Sequence, residues 1–374
     1  MKIVFLSNHM KFSGGRNLMF QYADFLSSRG HDVKLLVRSK IGELSKAKAD
    51  LVKDFSSESI PECDLIVATS PSEVKDGWNS KKAKKVVHFC QGFDQIDMEQ
   101  RIEGRFIPPR YRGTGLMHEI KLFFKRRQWR RTLKEWDEIY SLPTYFISVS
   151  EHLTEDLMKR YGKPAPLCRN GVDLKTYSPA ENWKPTKFSA ERPIRIVNIG
   201  PYNVTYKGIP VTYEAIEIAK KRGIPIEFIR ISKEPSEFEK NIPFEFKMIK
   251  NPSNQEMGKI LRSCDVYVSN STEREGFGLP AMESMAAGLL VILSGIACYR
   301  SFCRDRDFCI FVPEGDAKAT ADAIEKIYNM NQEEFASLRR KSLDVASTFS
   351  HDLACLRFEE ILKDILSEPS KTQV

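Results

Sequence analysis

"KIVFLSNHMKFSGGRNLMFQYADFLSSRGHDVKLLV", residues 2 to 37, opens with a short apolar run and passes through a loop carrying Gly14 and Gly15. It then turns helical in period from Asn17 to Ser28 and returns to a second apolar run. Apolar runs of this length on either side of a helix-period segment predict strand, helix and strand in one parallel unit. Further buried-strand patterns follow at "DLIVAT" (64–69), "KVVHFC" (85–90) and "YFISVS" (145–150), so the first half is expected to form an open α/β sheet. From Tyr177 to Pro193, "YSPAENWKPTKFSAERP" holds three prolines and no periodicity, the composition of an interdomain linker. Alternation then restarts: strand "IRIVNIG" (194–200), a helix from about Pro210 to Arg222, and strand "IPIEFIRI" (224–231). A helix near Asn254 to Ser263, strand "DVYVSN", a helix after Pro280, strand "LVILS" (290–294) and two terminal helices complete the half. The prediction is an α/β chain of two Rossmann-like doubly wound domains facing one another across a cleft. Boundaries are expected at 1–178 for the N-terminal Rossmann-like domain, 179–193 for the linker and 194–350 for the C-terminal Rossmann-like domain. Residues 351–374 are assigned as a helix crossing back to the N-terminal domain.

Composition narrows the function. The 374 residues are 41% hydrophobic and 29% charged, and no apolar run reaches the roughly 18 residues of a membrane span. The opening "MKIVFLSNHM" reads as a first strand rather than a signal peptide, which makes the cytoplasm the default compartment. Eight cysteines are scattered without a C-x-x-C pair, indicating neither a zinc site nor a disulfide framework. A net charge of +8, unevenly spread, points to an anionic ligand or surface. No nucleic-acid-binding motif is present.

In a doubly wound sheet, ligands lie beyond the carboxyl ends of the strands. There stands "VSNSTEREGFGLPAMESMAAG" (268–288), in which Glu275 precedes Gly276, Phe277, Gly278 and Leu279, Pro280 suits a first helical turn, and Glu283 falls about one turn inside. The glycines let backbone N–H groups approach a ligand, and a helix N-terminus favours phosphate. Acids beside phosphate are repelled by it, so Glu275 and Glu283 are read as acceptors for hydroxyl groups. Phosphate with many hydroxyls describes a sugar nucleotide. In "NIGPYNVTYKGIP" (198–210), Lys207 follows a strand-ending glycine and is the second phosphate candidate. "KFSGGRN" fails as a dinucleotide loop: it has no G-x-G-x-x-G, and the next strand ends in Arg38 where a ribose-binding acid is needed. "RNGVD" (169–173) reads as a tight turn, with Asn170 and Gly171 tolerating positive φ, that shapes the site rather than doing chemistry.

These motifs resemble the retaining glycosyltransferases of family 4, which have the two-domain GT-B fold. The resemblance covers essentially the whole chain and is most specific at "EGFGLPAME" followed by "MAAG", supported by "SGG" with "RGHDV", "RNGVDLKTYSP" and "YKG". It implies that Glu275 contacts donor-sugar hydroxyls with the amides of Gly276, Phe277 and Gly278, that amides near Leu279 meet the diphosphate, and that Glu283 holds the ribose. Gly14 and Gly15 would let their loop close on the donor phosphate, and Gln91, rather than His88, would lie near the donor sugar. The family has an arginine where Pro201 stands; Arg16 and Arg230 are possible substitutes. The implied reaction is same-face transfer from a nucleotide-diphosphate sugar to a glycan or lipid-linked acceptor, serving cell-surface polysaccharide or glycolipid synthesis. Lys207 and loop amides would hold the leaving diphosphate, with no metal or other cofactor. An epimerase of the same fold and a non-catalytic sugar-nucleotide binder are the competing readings. In "KLFFKRRQWRRTLKEWDEIY" (121–140), Leu122, Trp129, Leu133, Trp136 and Tyr140 share a helical spacing among many cations. Two readings stand side by side: the stripe packs on the sheet with its charges in water, or the basic helix grips a phosphorylated acceptor or meets an anionic membrane surface, the last of which would put the protein peripherally on the inner face.

Overall fold

The computed structural model describes residues 1–9, 14–39, 49–92, 94–104, 113–183, 187–305 and 307–369. Two compact units emerge: Met1–Asn170 with Leu353–Val374, and Gly171–Asp352.

In the first unit the strands are β1 (Lys2–Ser7), β2 (Asp32–Val37), β3 (Ala49–Leu51), β4 (Cys63–Ala68), β5 (Ala83–Cys90) and β6 (Tyr145–Ser148). They form one parallel sheet in the order β3-β2-β1-β4-β5-β6. The second unit has β7 (Ile194–Ile199), β8 (Ile226–Ser232), β9 (Lys247–Lys250), β10 (Val266–Ser269), β11 (Leu290–Ser294) and β12 (Ile310–Val312). Its order, β12-β11-β10-β7-β8-β9, is the same topology again. Each sheet reverses direction once, between β1 and β4 and between β7 and β10, as the doubly wound pattern requires. Central strands such as Leu290–Ser294 are buried along their length, because helices cover both faces of a parallel sheet. The expected pair of Rossmann-like sheets is therefore present.

Three strands escaped the periodicity. β3, β9 and β12 are edge strands of three or four residues; the first two have no fully buried residue and the third has only Val312 buried, too little to write a buried face into the sequence.

The stretch expected as a linker packs instead. Phe188 is buried in the core of the second unit, and Trp183 lies against the same core, stacked on Phe335 with the Arg339 guanidinium 4.0 Å from its ring centroid. Large aromatics among the prolines outweigh the loop-like composition. Asn170 and Gly171 do not take the positive φ they tolerate. Gly171 serves close approach: a Cβ there would lie 2.4 Å from His351 Cα, where Val172 N–H donates to Phe349 O at 2.7 Å and His351 N–H to Val172 O at 3.0 Å. The closing helix, His351–Ser367, lays Phe358 on Tyr22 (4.5 Å, stacked) and Phe89 (5.0 Å) of the first unit. All eight cysteines are free.

Candidate functional site

The loops after β7 and β10 meet at the switch point of the second sheet. β7 ends at Gly200, the chain makes a short 3-10 turn over Thr205–Lys207, and Gly208 (φ +61°) admits it to the helix Ile209–Lys221. The second loop leaves β10 through Asn270 and is tied to the first by Thr272 N–H donating to Tyr206 O at 2.8 Å. Lys207 Nζ and Glu275 Oε2 consequently lie 2.6 Å apart, although 68 residues separate them. Burial alone would lower the Lys207 ammonium; the adjoining Glu275 carboxylate outweighs it and holds the group above the ordinary lysine range. Glu275 is fixed from behind as well. Ser271 Oγ–H donates to Glu275 Oε2 at 3.1 Å, and Ser269 lies 3.1 Å from Ser271 and 2.8 Å from Tyr299 Oη.

Beyond Glu275 the backbone supplies donors. Gly278 (φ +79°) caps the helix Leu279–Ala286, and a Cβ at Gly278 would stand 2.3 Å from the Tyr299 ring. No acceptor among the described residues takes the N–H of Phe277, Gly278 or Leu279. A run of unpaired N–H groups at a helix start is an anion site. The Phe277 side chain is not part of it, being buried against Phe302 (5.6 Å) and Phe349 (5.9 Å).

Glu283 lies one turn further. Desolvation pushes its carboxyl up to about 8, opposed by a hydrogen bond from the buried Tyr177. Tyr177 belongs to "RNGVDLKTYSP", and periodicity offered no signal for it because its partner lies over a hundred residues away in sequence.

One expectation is corrected. Arg230 cannot stand in for an arginine at position 201: it is fully buried, with Nε donating to Glu239 Oε1 at 3.1 Å, Nη1 to the carbonyls of Asn198 and Ile231 at 3.1 Å, and Nη2 to Gly200 O at 2.6 Å. It braces the end of β7 from below. Arg230→Met would strand the buried Glu239 carboxylate, and the expected loss is about 3–5 kcal/mol in urea unfolding. His88, which was not expected in the site, is a core residue, packed against Tyr140 and Phe146 and lowered to about 4 by burial. The sequence reading passed over another cation that shares a neighbour with Lys207: the Arg274 guanidinium lies 4.8 Å from the centroid of the Tyr206 ring, whose centroid is 5.2 Å from Lys207 Nζ.

In the first unit, Gly14 and Gly15 begin the helix Gly14–Ser28 and Arg16 is in its first turn; the Arg16 side chain lies outside the described residues, as does the loop 10–13. Gln91 Oε1 accepts from Asn170 Nδ2 at 3.1 Å, leaving Gln91 Nε2 and Asn170 Oδ1 buried without a partner among the described residues. Among the described residues no three His, Cys, Asp or Glu side chains form a metal-binding group.

Residues 193–330 match the family profile Glycosyl transferases group 1, which spans β7 to the helix after β12 and so contains Lys207, Glu275 and Glu283. The chain is 26% identical over 191 residues to a phosphatidyl-myo-inositol mannosyltransferase of Mycolicibacterium smegmatis, covering 50% of this chain and 48% of that one. It is 21% identical over 288 residues to a GDP-mannose:cellobiosyl-diphosphopolyprenol alpha-mannosyltransferase of Xanthomonas oryzae pv. oryzae, covering 74% and 72%. The aligned stretch thus spans about half the length of the first of these relatives. A solved sucrose-phosphate synthase from Thermosynechococcus elongatus superposes with a TM-score of 0.71 at 15% identity, over 98% of this chain and 99% of that one. Such a likeness establishes the GT-B fold.

Proposed function

We propose that the protein is a retaining glycosyltransferase that moves a sugar from a nucleotide-diphosphate donor to a hydroxyl of a lipid-linked or glycan acceptor, in cell-surface polysaccharide or glycolipid synthesis. The observation that carries the reading is the Lys207–Glu275 pair beside the unpaired amides of Phe277, Gly278 and Leu279. One acid suits sugar hydroxyls; a cation and three N–H groups suit a diphosphate.

In this reading Glu275 orients the sugar and Glu283 accepts from the ribose hydroxyls. As the bond to the anomeric carbon breaks, charge collects on the diphosphate, where Lys207 and the amides stabilise it. Arg274 supplies the second cation that Pro201 cannot. An oxygen of the departing diphosphate takes the acceptor's proton, and the new glycosidic bond forms on the face the leaving group vacates. No metal enters this scheme. Since the names of the two relatives specify mannosyl transfer, one of them from GDP-mannose, that donor is the first to test.

Incubation with a panel of UDP-, GDP- and dTDP-sugars without acceptor tests the reading. Slow hydrolysis of one donor supports it; an isomerised donor would mean an epimerase, and tight binding without turnover a sensor. Activity abolished by EDTA would remove the metal-free scheme.

Glu283 gives the reading a pH signature. Its carboxyl lies at about 8 in the folded protein, against about 4.3 in an unfolded chain. Between those values the folded state keeps a proton that the unfolded state has lost, so stability at this group is greatest below the lower value and declines as pH rises through the higher. Glu283→Gln is therefore expected to melt above the wild type by a margin that grows from about pH 5 to about pH 8 and then levels. Nucleoside diphosphate affinity of the wild type should rise several-fold over the same range, as the carboxylate forms, and the Gln variant should bind weakly and without that slope. A margin independent of pH in thermal melts, with a flat binding profile, contradicts the assignment.

A further inference from the structure

The helix Leu116–Ser141 carries two apolar stripes. The first is the one the sequence suggested, and it faces the protein: Leu122, Trp129, Ile139 and Tyr140 are buried, and Trp136 packs on the cluster around Val4, Leu36 and Val86. The second is Leu116, Met117, Ile120, Phe123 and Phe124. Their spacing places them on one helix face, and every one is exposed, by 42% to 78%.

Continuing along that face at intervals of three and four come Arg127, Arg131 and Lys134, all exposed, with Lys121 and Arg130 at its margins. Lys121, Arg127, Arg130 and Arg131 make no ion pair among the described residues. From Leu116 to Lys134 the helix has Lys121, Lys125, Arg126, Arg127, Arg130, Arg131 and Lys134 against the single acid Glu119. Five exposed apolar side chains on two turns of helix, followed by unpaired cations, form a surface that water solvates poorly at one end and that seeks anions at the other. A second copy of the chain would bring like charges together on this face. A bilayer with anionic headgroups satisfies both ends: the apolar turns enter the acyl boundary and the arginines meet phosphates.

We propose that this exposed face, from Leu116 to Lys134, docks the protein on an anionic lipid bilayer. The inference goes beyond the donor reading and does not rest on it. Docking would leave the first unit at the surface where a lipid-linked acceptor resides.

Co-sedimentation of the full chain with vesicles of phosphatidylglycerol and phosphatidylcholine, against phosphatidylcholine alone, tests it. Binding is expected only to the anionic vesicles, falling as salt is raised. Phe123→Ser with Phe124→Ser should lower it at least tenfold. Arg127→Glu with Arg131→Glu should lower it more, since each cation near such a surface is worth about fivefold. Arg127→Lys with Arg131→Lys should retain binding, and melting temperatures of all variants should match the wild type because the side chains are exposed. Equal binding to both vesicle types, or anionic binding unchanged by both disrupting pairs, overturns the proposal. So does a wild type that ignores vesicles but forms a dimer lost in the phenylalanine variant, which would assign the face to a second copy.

Discussion

Lys207→Ala is expected to lower kcat/KM for the donor by about 10²–10³, the effect of removing one preorganised charge from a developing oxyanion. The lysine is held in place before any ligand arrives: its 3-10 turn follows β7, its loop is hydrogen-bonded to the β10 loop, and its ammonium is anchored at 2.6 Å on Glu275. The same pairing predicts a secondary effect, because the variant leaves a nearly buried carboxylate without its cation. Thermal melts must therefore accompany the kinetics. Lys207→Arg keeps the charge and should recover part of the rate, whereas a merely structural lysine would show its loss in melting temperature with kcat in proportion to the folded fraction. Turnover within tenfold of the wild type would shift the leaving-group role to Arg274 and the amides.

Gly208→Ala is expected to abolish stable folding of the second unit, a loss on the order of 3 kcal/mol or more. Two causes coincide. The residue has φ +61°, which an L side chain resists, and its Cβ would lie 1.8 Å from Asn270 O. Asn270 cannot move aside, since its side chain accepts from Thr320 Oγ1 at 2.9 Å and donates to Thr212 Oγ1 at 3.0 Å. Gly223→Ala is the control: φ is +83°, but nothing lies within 4 Å of the added Cβ, so only backbone strain of about 1 kcal/mol remains. Urea unfolding of the two variants side by side separates the clash from the strain, and equal losses would contradict the contact.

Lys207 and Gly208 sit in "NIGPYNVTYKGIP", and the lysine was legible there as an anion candidate because it follows a strand-ending glycine; the contact that demands Gly208 was not, since Asn270 lies far along the chain. The strands of the sheet centres were equally legible, because burial on two faces demands continuous apolar runs. Edge strands β3, β9 and β12 were not: β3 and β9 are buried on neither face, and β12, with only Val312 buried, is too short to show a pattern. The 179–193 stretch misled because prolines speak for a loop while Trp183 and Phe188 speak for burial, and only a core able to receive those rings decides between them.

The sequence by itself determined the fold class and the loops that carry Lys207, Glu275 and Glu283, for each is written in residues a few positions apart. Tertiary structure alone decided the rest. It set Arg230 beneath Gly200 with its charge spent on Glu239, brought Tyr177 to Glu283, joined Lys207 to Glu275, and turned one stripe of the helix Leu116–Ser141 inward while leaving another outside. Periodicity reports which residues share a face. What that face meets depends on elements distant in sequence, and packing, not spacing, fixes their approach.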